Sequence, residues 1–230
     1  MKNISINKIA RIAGGLYLLY VLTSIVADIF GKFVFPDAFE TVSNIMTNDS
    51  SFRVGFVISL FSAAIFLLAA WALYVLLKPV NKNLALLFLL LNFAGFAIWN
   101  FSLLSLFTGQ MFLSGVDYLK AFTPDQLQAQ ALLFIDLRRI GAVMAQVPYG
   151  LWLFPLGYLV YKSGFLPKAL GIILAVDGVA LMIYVCQRFL FPDFGIVSTV
   201  CMAIGFVAEV SLTLWLLIMG VKESKVALVK

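Results

Sequence analysis

Long apolar runs separated by short polar breaks dominate the chain. Six of them, at 12–30, 54–77, 84–107, 140–161, 169–190 and 196–221, meet or approach the roughly 20 residues that a helix needs to cross about 30 Å of hydrocarbon. The second has no charged residue, and the uncharged stretch that opens the third continues to Gly115. The pattern predicts an all-α membrane protein in which residues 1–230 form one polytopic domain, a six-helix bundle. The first run follows the basic start Lys2, Lys8 and Arg11, as a signal peptide would. Its length, and the lack of a small-x-small exit before Gly31-Lys32-Phe33, point instead to an uncleaved helix.

Two of the connections are long enough to carry structure. After Pro36-Asp37-Ala38-Phe39-Glu40, the residues Val42, Ile45 and Met46 fall at helical spacing, which predicts a short amphipathic helix on the outer surface. Further on, Thr123 is placed to cap a helix with Pro124 at its first position. That helix continues towards Tyr161, too long for one straight crossing, with Pro148 and Pro155 as expected kinks.

Basic residues near the spans set orientation. The N-terminus, the loops at 78–83 and 162–168 and the C-terminus hold Lys2, Lys8, Arg11, Lys78, Lys82, Lys162, Lys168, Lys222, Lys225 and Lys230; the other side holds Lys32, Arg53, Lys120 and Arg188. Both termini are therefore expected in the cytoplasm. The same scatter accounts for the net charge of +5 without nucleic acid.

Composition narrows the chemistry. The apolar share is 63% and the charged share 12%, against about 45–50% and about 25% in soluble domains. With no histidine in the sequence, imidazole metal sites and Ser-His or Cys-His nucleophiles are excluded. Cys186 and Cys201 both fall in apolar runs and are expected to be inert buried thiols. No cofactor or metal is called for.

Four stretches together carry a resemblance: Arg11-Ile12-Ala13-Gly14-Gly15-Leu16-Tyr17, Leu73-Tyr74-Val75-Leu76-Leu77-Lys78-Pro79-Val80-Asn81, Tyr161-Lys162-Ser163-Gly164-Phe165-Leu166-Pro167-Lys168, and Leu214-Trp215-Leu216-Leu217 with Gly220. In these the chain resembles the bacterial integral-membrane proteins of the family called domain of unknown function 4386. The resemblance implies a six-helix protein of the bacterial inner membrane, and it carries over no catalytic residue. Within the chain, Tyr74 with Lys78 and Tyr158 with Lys162 form a weak internal echo, open to duplication or to shared membrane composition.

Charges within the spans are the informative residues, because an acid or base near the bilayer centre costs at least about 2.5–3.5 kcal/mol unless it faces protein or water. Asp177 and Glu209 qualify. Counted back from a turn at 192–195, Asp177 is level with residue 210, next to Glu209. Glu209 shares its helical face with Ser198, Met202, Gly205 and Thr213, a small and polar stripe suited to a helix seam. Asp177 shares its face with Tyr184 and Arg188. Other polar stripes hold Tyr17, Tyr20, Ser24 and Asp28, then Asn92, Trp99 and Asn100, then Asp136, Arg139 and Gln146.

These residues predict an outward-opening polar cavity with Asp177 and Glu209 at its floor and Asp28, Asp136, Arg138, Arg139 and Arg188 around its mouth. Two carboxyls out of water and near each other resist double ionisation, the basis of a proton-loading or cation-binding site. Packing alone remains open for the acids, and for Asp136 with Arg139 an ordinary i, i+3 surface pair is the simpler account. Proton-linked transport or binding of a small or amphiphilic solute fits such a cavity. A membrane enzyme acting on a lipid or quinone-like substrate, or a lipid-binding organiser without turnover, would use the same acids; no phosphate loop or nucleophile elbow supports an enzyme. The expected partners are the lipid bilayer and a small solute or lipid, with no nucleic acid.

Orientation is testable by cysteine labelling in cells, in a background lacking Cys186 and Cys201. Asp193→Cys should react with an impermeant thiol reagent, whereas Lys2→Cys and Leu228→Cys should react only after the membrane is opened. The reverse pattern would mean that the basic residues do not set the topology.

Overall fold

The computed structural model describes residues 5–31 and 38–221. The segment Phe33–Asp37, together with Lys2, Lys32, Lys222, Lys225 and Lys230, lies outside the described residues. Among the described residues, seven α-helices follow one another: α1 (Ile6–Gly31), α2 (Ala38–Thr47), α3 (Asp49–Leu77), α4 (Lys82–Leu113), α5 (Pro124–Lys162), α6 (Lys168–Leu190) and α7 (Gly195–Leu214). A 3₁₀ turn at Asp117–Ala121 precedes α5, and α7 runs on into a π turn at Trp215–Met219. All but α2 are long and apolar enough to cross a membrane. The chain is an all-α membrane protein. Most of these helices extend beyond the apolar runs that predicted them, because polar ends continue the backbone ladder where water is available.

Local signals account for the helix limits. Thr123 and Gln126 form a reciprocal cap at the start of α5: the Gln126 amide donates to Thr123 Oγ1 at 3.3 Å, and the Thr123 amide donates to Gln126 Oε1 at 2.9 Å. Asn81 Oδ1 accepts the Leu84 amide at 3.0 Å at the start of α4. Between α5 and α6, Gly164 takes a left-handed φ of 71°, and Ser163 Oγ accepts the Leu166 amide. Both prolines of α5 lie within a helix that continues past them. Both members of the Tyr–Lys echo make the same local contact: Lys78 lies over the Tyr74 ring and Lys162 over the Tyr158 ring, each at 5.9 Å and one helical turn apart.

The chain divides into two compact units, one of residues 1–19, 65–96 and 145–230, the other of residues 20–64 and 97–144. In the first unit, backbones meet at glycines. Gly14 of α1 lies against the backbone of Leu216 and Leu217, so that a Cβ there would stand 2.6 Å from the Leu217 nitrogen. Gly157 of α5 and Gly171 of α6 face each other in the same way. Gly220, with φ of 62°, ends the π turn, and the Val221 amide donates to Asn7 Oδ1 at 3.1 Å. The first and last stretches of the family resemblance are therefore in mutual contact. The core between them is aromatic: Tyr17, Phe66, Tyr149, Trp152 and Phe88 form a chain of ring contacts with centroids 5.4–6.1 Å apart.

In the second unit, the amphipathic α2 turns Val42 and Ile45 inward onto Phe52, Leu106, Ala131 and Ile135. Met46, the third residue of that spacing, is exposed. Ser62 of α3 joins α1 to α3 through Thr23 Oγ1 at 3.1 Å, Ser24 Oγ at 2.7 Å and the Tyr20 carbonyl at 3.2 Å. Such hydroxyl bonds hold helices together where hydrocarbon gives apolar faces no reason to associate.

Gly14→Ala should destabilise the protein by about 1–3 kcal/mol, the range for overpacking a filled contact, in reversible unfolding in detergent micelles. Gly15→Ala is the control. Its Cβ would meet only Leu217 Cδ1 at 4.0 Å, so the better helix propensity of alanine should leave stability equal or raised.

Candidate functional site

The α6–α7 hairpin builds the site. It is closed by Gln187, a residue that periodicity did not single out: its side-chain amide donates to the carbonyls of Phe191 at 2.8 Å and Pro192 at 3.3 Å, and its Oε1 accepts the Ser198 hydroxyl of α7. One long amide thus satisfies the frayed end of α6 and fixes the register of α7. The usable sequence signal was a glutamine one turn before Phe191-Pro192, where helix-end carbonyls lack partners.

This register sets Asp177 against Gly205. Asp177 has no solvent exposure, and a Cβ on Gly205 would lie 2.9 Å from its Oδ1. Neither of its carboxyl oxygens has a hydrogen-bond partner. One turn beyond Gly205, the half-buried Glu209 is near enough to Asp177 to interact electrostatically, and it receives a hydrogen bond from the Tyr17 hydroxyl of α1. Neither acid forms an ion pair with a described lysine or arginine. Thr213, the next residue on the stripe, is buried and turns its hydroxyl back onto the Glu209 carbonyl at 2.7 Å.

Other polar groups of the first unit surround this pair to different degrees. Asn92 is fully buried with its side-chain oxygen and nitrogen both unpartnered. It shares a face of α4 with Phe88, which meets Trp152, and Gly95, which meets Tyr149. Gln146 and Tyr184 are half-buried, whereas Arg188 is exposed in the last turn of α6, where a cation complements the helix end. Met202 does not follow the small-polar stripe. It is exposed. The cysteines also divide: Cys201 is buried and Cys186 exposed, both as free thiols, so the expectation of two buried thiols holds for one only.

On the flank of the hairpin, Val176, Val179, Ala180 and Ile183 of α6 face Ile196, Val197, Val200, Cys201 and Ile204 of α7 across an open groove of about 480 Å³.

The remaining sequence candidates belong to the second unit. Asp136 and Arg139 form a 3.5 Å pair one turn apart on α5. The inward arginine is its neighbour: Arg138 is buried, donates to Ser102 Oγ at 3.2 Å and lies 4.4 Å from the centre of the Trp99 ring. Asp28 is exposed, without a salt bridge to Arg138, and Asn100 is half-buried. Two adjacent arginines differ by about 100° on a helix, and the pattern of the sequence did not decide which one points inward.

The family described as domain of unknown function 4386 matches residues 12–220. An uncharacterized protein of Archaeoglobus fulgidus is 31% identical over 160 residues, covering 68% of this chain and 78% of its own. No solved structure matches.

The role of Gln187 can be measured. Gln187→Leu removes both carbonyl bonds and the Ser198 bond, and should cost about 1–3 kcal/mol in micellar unfolding. Ser198→Ala, which loses one bond, should cost less. Equal stability of Gln187→Leu and wild type would show that the hairpin is set by packing alone.

Proposed function

Since the chain belongs to the family described as domain of unknown function 4386, whose name assigns no activity, we propose a function from the site itself: binding of a small cationic or amphiphilic solute within the membrane, coupled to release of a proton from Asp177 and Glu209. The observation that carries this reading is Asp177, fully buried with both carboxyl oxygens unpartnered. An ionised carboxylate without donors in such surroundings is costly, and a second acid beside it adds repulsion. The pair therefore needs a proton or a cation. A solute cation that takes the place of the proton leaves the net charge of the site unchanged, which is the physical basis of the coupling.

Binding is preferred over carriage because α6 and α7 run unbroken past the acids, whereas many carriers coordinate their ions with interrupted helices. Transport remains the second reading, supported by the same exchangeable pair.

Infrared spectroscopy of the carboxyl carbonyl bands tests this reading. Wild-type protein in neutral lipid at pH 7 should show a protonated-carboxyl band that decreases when methylammonium is added, with protons released to a dye in the medium. Asp177→Asn and Glu209→Gln keep side-chain shape, and each should abolish the response while the protein stays folded. Absence of any protonated band, or a band insensitive to methylammonium, would defeat the proposal.

A further inference from the structure

The groove on the flank of the hairpin is entirely apolar, and its outer walls, at Val176, Val179, Val200 and Ile196, are half exposed or more. Its floor is different. Ala180 and Cys201 are both 4% exposed, and the Cys201 thiol lies within electrostatic reach of the Asp177 carboxyl. Ile204, the last α7 residue of the groove, is followed by Gly205, on which that carboxyl rests. Cys201 therefore belongs to both features, with hydrocarbon-facing space on one side and an unpartnered buried acid on the other.

We propose that groove and acid are one site, which takes a single-chain alkylammonium amphiphile with its chain along the groove and its amine past Cys201 on the Asp177 carboxyl. This rests on the reading of Asp177 and Glu209 given above and adds the class of solute and its route of entry. Three features select that class. An ammonium group brings three donors and a positive charge to a carboxyl that has no partner and to a second acid, Glu209, that no described cation pairs. Neutral or anionic head groups leave that need unmet. The groove volume of about 480 Å³ falls towards the lower end of small-molecule sites, about 300–1,000 Å³, enough for one chain and not for the paired chains of a bilayer lipid. Finally, an all-apolar wall open to the side admits a solute already dissolved in the membrane, so the amine need not cross water to reach the acid.

Dodecylamine with a photoactivatable diazirine at its chain end, added to the protein in phosphatidylcholine nanodiscs, tests the proposal. Saturable labelling should map to 176–183 and 196–204, and unlabelled dodecylamine should compete, with dodecanol and dodecanoate at least about tenfold weaker, as expected for loss of a charge-assisted bond. Asp177→Asn should weaken labelling to a similar degree. Val200→Trp fills the groove from its exposed side. It should block labelling by the long-chain amine. Equal competition by dodecanol, labelling spread over the lipid-facing surface, a crosslinked dimer covering the groove, or indifference to Asp177→Asn would each overturn the alkylammonium site. If methylammonium still acts on the carboxyl bands in that event, the reading of the acids survives and only the groove is lost. If methylammonium is also without effect, both fail.

Discussion

Hydrocarbon removes the usual reason for apolar helices to associate, because a leucine face loses little by facing lipid instead of another leucine. What remains is close van der Waals contact, and in the first unit that contact depends on glycine. Gly14 admits the backbone at Leu216 and Leu217, Gly157 and Gly171 admit each other, and Gly205 admits the Asp177 carboxyl. Each approach is too near for a methyl group. The site depends on the same rule as the packing: a side chain at position 205 would displace the carboxyl from its place against α7.

Close packing at glycine also explains why Asp177 is left without a partner. A backbone whose N–H groups are all engaged in the α7 ladder offers the carboxyl no donor, and the thiol of Cys201 is a weak one. Glu209 differs by one turn, and there the Tyr17 hydroxyl reaches it from α1. Two carboxyls of the same residue class thus stand in unlike surroundings, one supported by a phenol and one bare.

The second unit handles buried polarity differently. Arg138 is supported by the Trp99 ring face and the Ser102 hydroxyl, and the hydroxyls of Thr23, Ser24 and Ser62 close on one another and on the Tyr20 carbonyl. Arg138 Nε is the exception, buried without a partner. Below α2, the Val42 and Ile45 contacts with Ile135 and Leu106 are those of an ordinary apolar core.

The sequence by itself determined the spanning helices, since run length against bilayer thickness is a one-dimensional criterion, and it determined the Thr123 cap; counting along regular helices set Asp177 level with residue 210, whereas its carboxyl rests against Gly205, about one turn away. It did not reveal helix rotation. That Arg138 rather than Arg139 turns inward, that Met202 is exposed, and that Cys186 is exposed while Cys201 is buried were decided by how the helices pack, and Gln187 ties the hairpin through partners 4, 5 and 11 residues along the chain. Apolar residues surround every face of a membrane helix, so the amphipathic signal that orients a soluble helix is nearly absent here. Rotation is then set by where glycines permit backbones to meet, and only the tertiary structure contains that information.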